Sequence, residues 1–124
     1  MVAGDYGKLV PFWKENYFVK EMDELSIMTR FLAMNPDLSL VAEENGTIVG
    51  SVLGSFDGRR GYIQKLVVGK KFRRKGLGSQ LIEEVTRRLH DVGALYIPLM
   101  VESDLVGFYE KSGFTKTNQI AMSN

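Results

Sequence analysis

Cysteine is absent from the 124-residue chain, histidine occurs once and tryptophan once. Without cysteine there is no disulfide framework, no thiolate nucleophile and no Cys-ligated metal, and His90 alone cannot build a His-rich metal centre. No metal is expected, and any nucleophile must arrive with a substrate. No apolar run approaches the roughly 20 residues of a membrane span. Asp5 and Lys8 fall where a signal peptide would need its apolar region, so the expectation is a cytoplasmic protein without a membrane partner. Net charge is also nearly absent, with 16 Lys and Arg against 15 Asp and Glu. That balance gives no general attraction to nucleic acid, although a local cluster still acts over about 8 Å. What is present is 44% hydrophobic and 25% charged residues, the composition of a soluble globular protein with a real core. The length suits one domain, 1–124.

The pattern of apolar residues changes period along the chain. A short first helix is expected within "DYGKLVPFWKENY", Asp5 to Tyr17, with Pro11 limiting where it begins or kinks. A second is expected from Lys20 to Ala33 on a stripe of Met22, Leu25, Met28 and Leu32 that leaves out Thr29 and Phe31. Three β-rich runs follow, Leu38 to Glu43, Thr47 to Ser55 and Gly61 to Val68, separated by Asn45-Gly46 and Asp57-Gly58. Both dipeptides tolerate positive φ and predict an antiparallel meander. Leu77, Leu81, Ile82, Val85 and Leu89 then form one face of a helix from about Leu77 to His90, stopped by Gly93. "ALYIPLMV", Ala94 to Val101, reads as a buried strand parallel to the Gly61 to Val68 run, interrupted at Pro98. A last helix, about Asp104 to Ser112, stops at Gly113, and a short strand from Phe114 closes the chain. The order α-α-β-β-β-α-β-α-β makes the class α+β.

One loop stands out. Five basic residues occupy the six positions from Lys70 to Lys75, directly before Gly76 and Gly78 at a helix start. A Walker loop is excluded because Gly69 is followed five residues on by Arg74, not glycine. A dinucleotide fingerprint lacks its third glycine, since Leu81 stands there. What remains is RxxGxG, Arg73, Gly76 and Gly78. Consecutive N–H groups at the helix mouth, bare glycines and the helix dipole suit a diphosphate. A solvated charged turn is the bland alternative.

Taken with "YIQKLVV" before it and "ALYIPLMV" and "GFYEKSGF" after it, the loop resembles that of the GNAT superfamily N-acetyltransferases, over about Leu38 to Phe114. The resemblance implies a mixed, mostly antiparallel sheet with splayed central parallel strands flanked by helices, its first strand short or absent. It implies acetyl-CoA as cosubstrate, with the diphosphate on the N–H groups from about Arg74 to Ser79. Cofactor-binding residues carried over are Leu66, Val67, Val68, Arg73, Arg74, Lys75, Gly76, Leu77, Gly78 and Ser79. The strand backbone would pair with pantetheine, and an N–H near Val67 would face the oxyanion formed when an amine attacks. Tyr109 takes the place of the family's general acid, delivering a proton to the departing thiolate.

Two positions depart from the family pattern. Gln64 stands where many relatives carry a glutamate base, leaving that role to a water chain or another carboxylate, and Glu102 stands where many carry an asparagine that contacts pantetheine. The function implied is acetyl transfer from acetyl-CoA to a primary amine on a small molecule or protein, by direct attack. A non-catalytic acyl-CoA binding or regulatory module of the same fold is the alternative that Gln64 and Glu102 favour. Nucleic-acid binding through "KKFRRK" with Arg59 and Arg60 is disfavoured by the near-neutral charge. His90 reads as a solvated or dipole-facing residue. Tyr6, Phe12, Trp13, Tyr17 and Phe18 serve either as packing or as an acceptor pocket. With only Met1 to Gly4 ahead of the first helix, pairing of the exposed sheet edge in a homodimer is a further expectation.

Overall fold

A computed structural model describes residues 1–124. Helix α1, Tyr6–Asn16, runs through Pro11. The ring lies on the solvent side, while Leu9, Phe12 and Trp13, at three- and four-residue spacing, are buried. The second helix is shorter than expected. Lys20 N–H donates to Asp23 Oδ2 at 2.9 Å, closing a 3₁₀ turn at Glu21–Asp23, and extended Glu24 separates it from α2, Leu25–Met34. The expected stripe is corrected accordingly: Met22 and Leu25 are exposed, Met28 is buried, and Phe31 packs on the core with it.

The meander forms as the turn dipeptides require. Strands β1 (Leu40–Glu44), β2 (Thr47–Phe56) and β3 (Gly61–Val68) pair antiparallel in the order β1-β2-β3. Asn45 and Gly46 adopt φ of 52° and 78° at the first turn. At the second, Asp57 Oδ1 accepts the N–H groups of Arg59 and Arg60, each at 2.7 Å. Helix α3, Leu77–Asp91, covers one face of the sheet, where Leu38, Val52, Ile63, Ile82, Val85 and Leu89 form one core cluster. Helices α1 and α2 cover the other face over Leu9, Trp13, Met28, Leu53 and Val67. Because both faces are covered, β2 is buried nearly throughout. Glycine is needed at Gly54, where a Cβ would collide with the Leu38 carbonyl oxygen and stand 2.8 Å from Val85 Cγ2.

The segment after α3 differs from expectation. Ala94 to Val101 is not a ladder strand. It runs parallel to the start of β3, bridging Arg60 to Tyr96, with bonds from Gly61 N–H to Tyr96 O (2.9 Å) and Ile63 N–H to Pro98 O (3.4 Å). Pro98 has no N–H to return, and β3 bends away beyond Ile63, so pairing stops. Leu95 and Met100 are correspondingly exposed. The last helix, α4, is Val106–Glu110 after a 3₁₀ turn at Ser103–Leu105, with Gly113 at φ 92° beyond it. No strand forms from Phe114; instead its N–H bonds Tyr109 O at 3.2 Å. No strand precedes α1, and the Met1 ammonium donates to Ser39 O at 2.9 Å.

Candidate active site

The bend in β3 is a bulge. Leu53 pairs with Gln64 and Ser51 with Val67, so Lys65 and Leu66 together stand opposite Val52 alone. Lys65 takes φ 55°, uncommon for a side-chain-bearing residue. The extra residue re-aims a side chain. Gln64 shares the face of Leu53, and Lys65 turns to that same face, while Leu66 packs on the α3 side. Lys65 Nζ bonds Asp23 Oδ2 and Phe18 O, each at 2.9 Å, and lies 4.5 Å from the centroid of the Trp13 ring. Trp13 Nε1 in turn donates to Ser51 Oγ at 2.9 Å.

The outer edge of β3 is left open by this arrangement. Gly61 and Ile63 turn their N–H groups outward to Tyr96 and Pro98, whereas Gly69 N–H turns inward to Val49 O at 2.8 Å. Counting by twos on either side of the bulge, the main chains of Gln64 and Val67 face β2, so the Lys65 N–H, the Leu66 carbonyl and the main chain of Val68 face outward. Arg73 Nε donates to the outward Val68 carbonyl at 3.0 Å and its Nη2 reaches Asn16 O at 3.5 Å. Arg73 therefore braces the loop, while Arg74 and Lys75 are exposed.

At the end of this edge lies the α3 mouth. Arg74 and the N-cap Gly76 both adopt positive φ, 61° and 85°, bringing the chain sharply into the helix. Gln80 N–H takes the Gly76 carbonyl at 3.0 Å, so the N–H groups of Leu77, Gly78 and Ser79 precede the first helical bond and lack intrahelical partners. A Cβ on Gly78 would stand 3.1 Å from Phe108 Cζ, so the bare glycine lets α4 approach α3. The neighbouring Tyr109 is half-buried, with its ring edge-on to Phe108 at 5.0 Å and Phe114 at 6.0 Å. Burial pushes its phenol above the ordinary 10.0, and neighbouring Tyr17 adds to this.

Tyr109, Gln64, Lys65, Leu66, Tyr17 and Glu102 all line one cavity of about 610 Å³. Tyr17 is likewise pushed up, first by burial and then by the negative charge of Glu102. Val67, placed with the cofactor residues from the sequence, is buried in the core. Neither Lys65 nor Asp23 stands out in the sequence as a site residue. The available signal was Gln64-Lys65 followed by Leu66-Val67-Val68, which breaks strand alternation where the bulge lies. No helix of the protein is long and apolar enough to cross a membrane.

An open strand edge that leads into an uncapped helix mouth, on a sheet covered by helices on both faces, is an α+β architecture. The sequence profile of the acetyltransferase (GNAT) family matches residues 7–114, and the chain belongs to that family. An acetyltransferase of Pectobacterium atrosepticum is 34% identical over 122 residues, covering 95% of this chain and 86% of the relative. Among solved structures, glucosamine-6-phosphate N-acetyltransferase from Arabidopsis thaliana superposes with a TM-score of 0.75 at 24% identity, over 100% of this chain and 93% of the other. A predicted acetyltransferase from Clostridium acetobutylicum, solved with acetyl-CoA, gives 0.79 at 18% identity, over 100% and 92%. The protein is an acetyltransferase of the GNAT family.

Proposed function

We propose that the protein transfers the acetyl group of acetyl-CoA to a primary amine by direct attack. The carrying observation is the open outer edge of β3 beyond Ile63, which ends at the α3 mouth. The outward backbone of Leu66 and Val68 lies along the pantetheine, and the N–H groups of Leu77, Gly78 and Ser79 receive the diphosphate. Arg74, Lys75 and the open Gly76 turn complete that cradle. The free Val68 N–H, the unpartnered donors of the helix mouth and unpaired cations fit an extended thioester with a charged tail. Val67 holds the strand through its packing in the core.

The acceptor enters the cavity on the α1/α2 side of the bulge. An ammonium ion there first gives a proton to solvent, and the neutral nitrogen attacks the thioester carbonyl. A C–N bond forms as the carbonyl electron pair moves to oxygen, facing an outward N–H of the bulge. The pair returns, the C–S bond breaks, the amide nitrogen releases its second proton to water and the thiolate takes one from the Tyr109 phenol. Tyr109 is then reprotonated from solvent. A phenol near or above 10 stays protonated at neutral pH and can still protonate a thiolate whose conjugate acid lies near about 8.5.

Gln64 provides no carboxylate, which favours the second reading of a non-catalytic acyl-CoA binder. Calorimetry with acetyl-CoA, followed by CoA-release assays over a panel of amines, separates the readings. Binding with amine-dependent release supports transfer, binding without release supports the binder, and no binding contradicts both.

A further inference from the structure

The acceptor cavity has an unequal chemistry. Of its 19 lining residues, 15 are hydrophobic, and the ionic ones are Asp23, Lys65 and Glu102. Asp23 and Lys65 neutralise each other at 2.9 Å, deep in the protein. Glu102 is exposed at the start of the Ser103–Leu105 turn and joins none of the protein's ion pairs. The lining therefore carries one uncompensated charge, negative and exposed, among mostly apolar side chains.

We propose that this cavity selects apolar primary amines: monoamines whose ammonium group is drawn in by Glu102 and whose hydrocarbon or aromatic body packs against Phe31, Leu53 and their neighbours. Amines bearing a carboxylate or phosphate are rejected. This inference rests on the acetyl-transfer reading above and specifies its acceptor.

Two physical effects act in sequence. A carboxylate at a solvent-facing rim attracts a cation over several ångströms and repels an anion. Farther in, apolar walls disfavour the charged form of an amine, which lowers the cost of the deprotonation that Gln64 cannot assist. An anionic substituent gains nothing from either effect, because the only cation of the lining, Lys65, is already held by Asp23 and Phe18 O. A volume of about 610 Å³ accommodates a small organic amine.

CoA release at saturating acetyl-CoA, with 2-phenylethylamine, hexylamine, glutamate and phosphoethanolamine as acceptors, tests the proposal. The apolar amines are expected to exceed the anionic ones about 100-fold in kcat/KM, as like charge and lost hydration combine. Glu102→Gln should raise KM for 2-phenylethylamine about fivefold, the scale of a partly exposed ion pair. It should also abolish the rise of KM with added salt expected of the natural protein, a response that a merely structural role would not produce. Equal or better use of glutamate or phosphoethanolamine overturns the selection while leaving acetyl transfer standing. An unchanged KM and salt response in Glu102→Gln overturns the role of that residue. Binding of acetyl-CoA with no release to any amine overturns the inference together with the transfer reading.

Discussion

Lys65 Nζ lies 2.9 Å from Asp23 Oδ2, and the two side chains are only 7% and 4% exposed. This pair ties the bulge of β3 to the turn between α1 and α2, so the strand edge that would hold one substrate is fixed to the wall that would meet the other. Burying two charges is costly, and the pair persists because each has further partners. Lys65 reaches Phe18 O and the Trp13 ring, while Asp23 also accepts Lys20 N–H.

Removing one member should therefore cost more than removing both. Lys65→Met leaves the Asp23 carboxylate buried without its cation and should lower unfolding free energy by about 3–5 kcal/mol. Lys65→Met with Asp23→Asn, which keeps an acceptor for Lys20, should lose markedly less. Urea denaturation of both variants checks this, and a double variant no more stable than the single one would refute the assignment.

Tyr109→Phe removes the phenolic proton while preserving the ring packing against Phe108 and Phe114. Turnover should fall about 100-fold, the lower end of general-acid contributions, with acetyl-CoA affinity changed less than about twofold. Because burial holds the phenol above 10.0, the acid form persists through neutral and mildly alkaline pH, and the natural enzyme should show no loss of kcat from Tyr109 ionisation below about pH 10. Steady-state kinetics with binding calorimetry separates the two effects; unchanged kcat in the variant removes Tyr109 from proton delivery.

The Glu84 carboxylate accepts from Arg87 at 2.6 Å and Arg88 at 2.8 Å, and these bonds, Arg87 first, hold it at about 2 against an ordinary 4.5. The folded chain thus binds this proton more weakly than the unfolded one. Its contribution is complete above about pH 4.5 and is lost as pH falls through about 2. The stability difference between the natural protein and Glu84→Gln should shrink over that window, and above about pH 4.5 should shrink with added salt because the site is exposed. Thermal unfolding as a function of pH reads both trends. A difference that stays constant down to pH 2 would contradict the ion network's role.

Local signals made much of this legible in the sequence. Asn45-Gly46 encoded a turn that only positive φ can close, and Leu77 to Leu89 kept one helical face against the sheet. The loop with Arg73, Gly76 and Gly78 pointed to the α3 mouth for the same local reason. Ala94 to Val101 misled because an apolar run resembles a buried strand, whereas pairing depends on a neighbouring edge. Here Pro98 lacks a donor and the Lys65 bulge carries that edge away. Met22 and Leu25 obeyed helical spacing but lie on either side of a break at Glu24, set by the Asp23 bond to Lys20. The burial of Lys65 was hidden because charge normally marks a solvated face, and its partner lies 42 residues away.

An amide NMR titration with acetyl-CoA tests the grip of the open β3 edge and the α3 mouth most directly. Saturating ligand is expected to shift the N–H signals of Leu66, Val68, Leu77, Gly78 and Ser79 strongly while leaving those of β1 nearly unmoved. Saturation with these five amides unchanged, or with shifts confined to another face of the molecule, would contradict it.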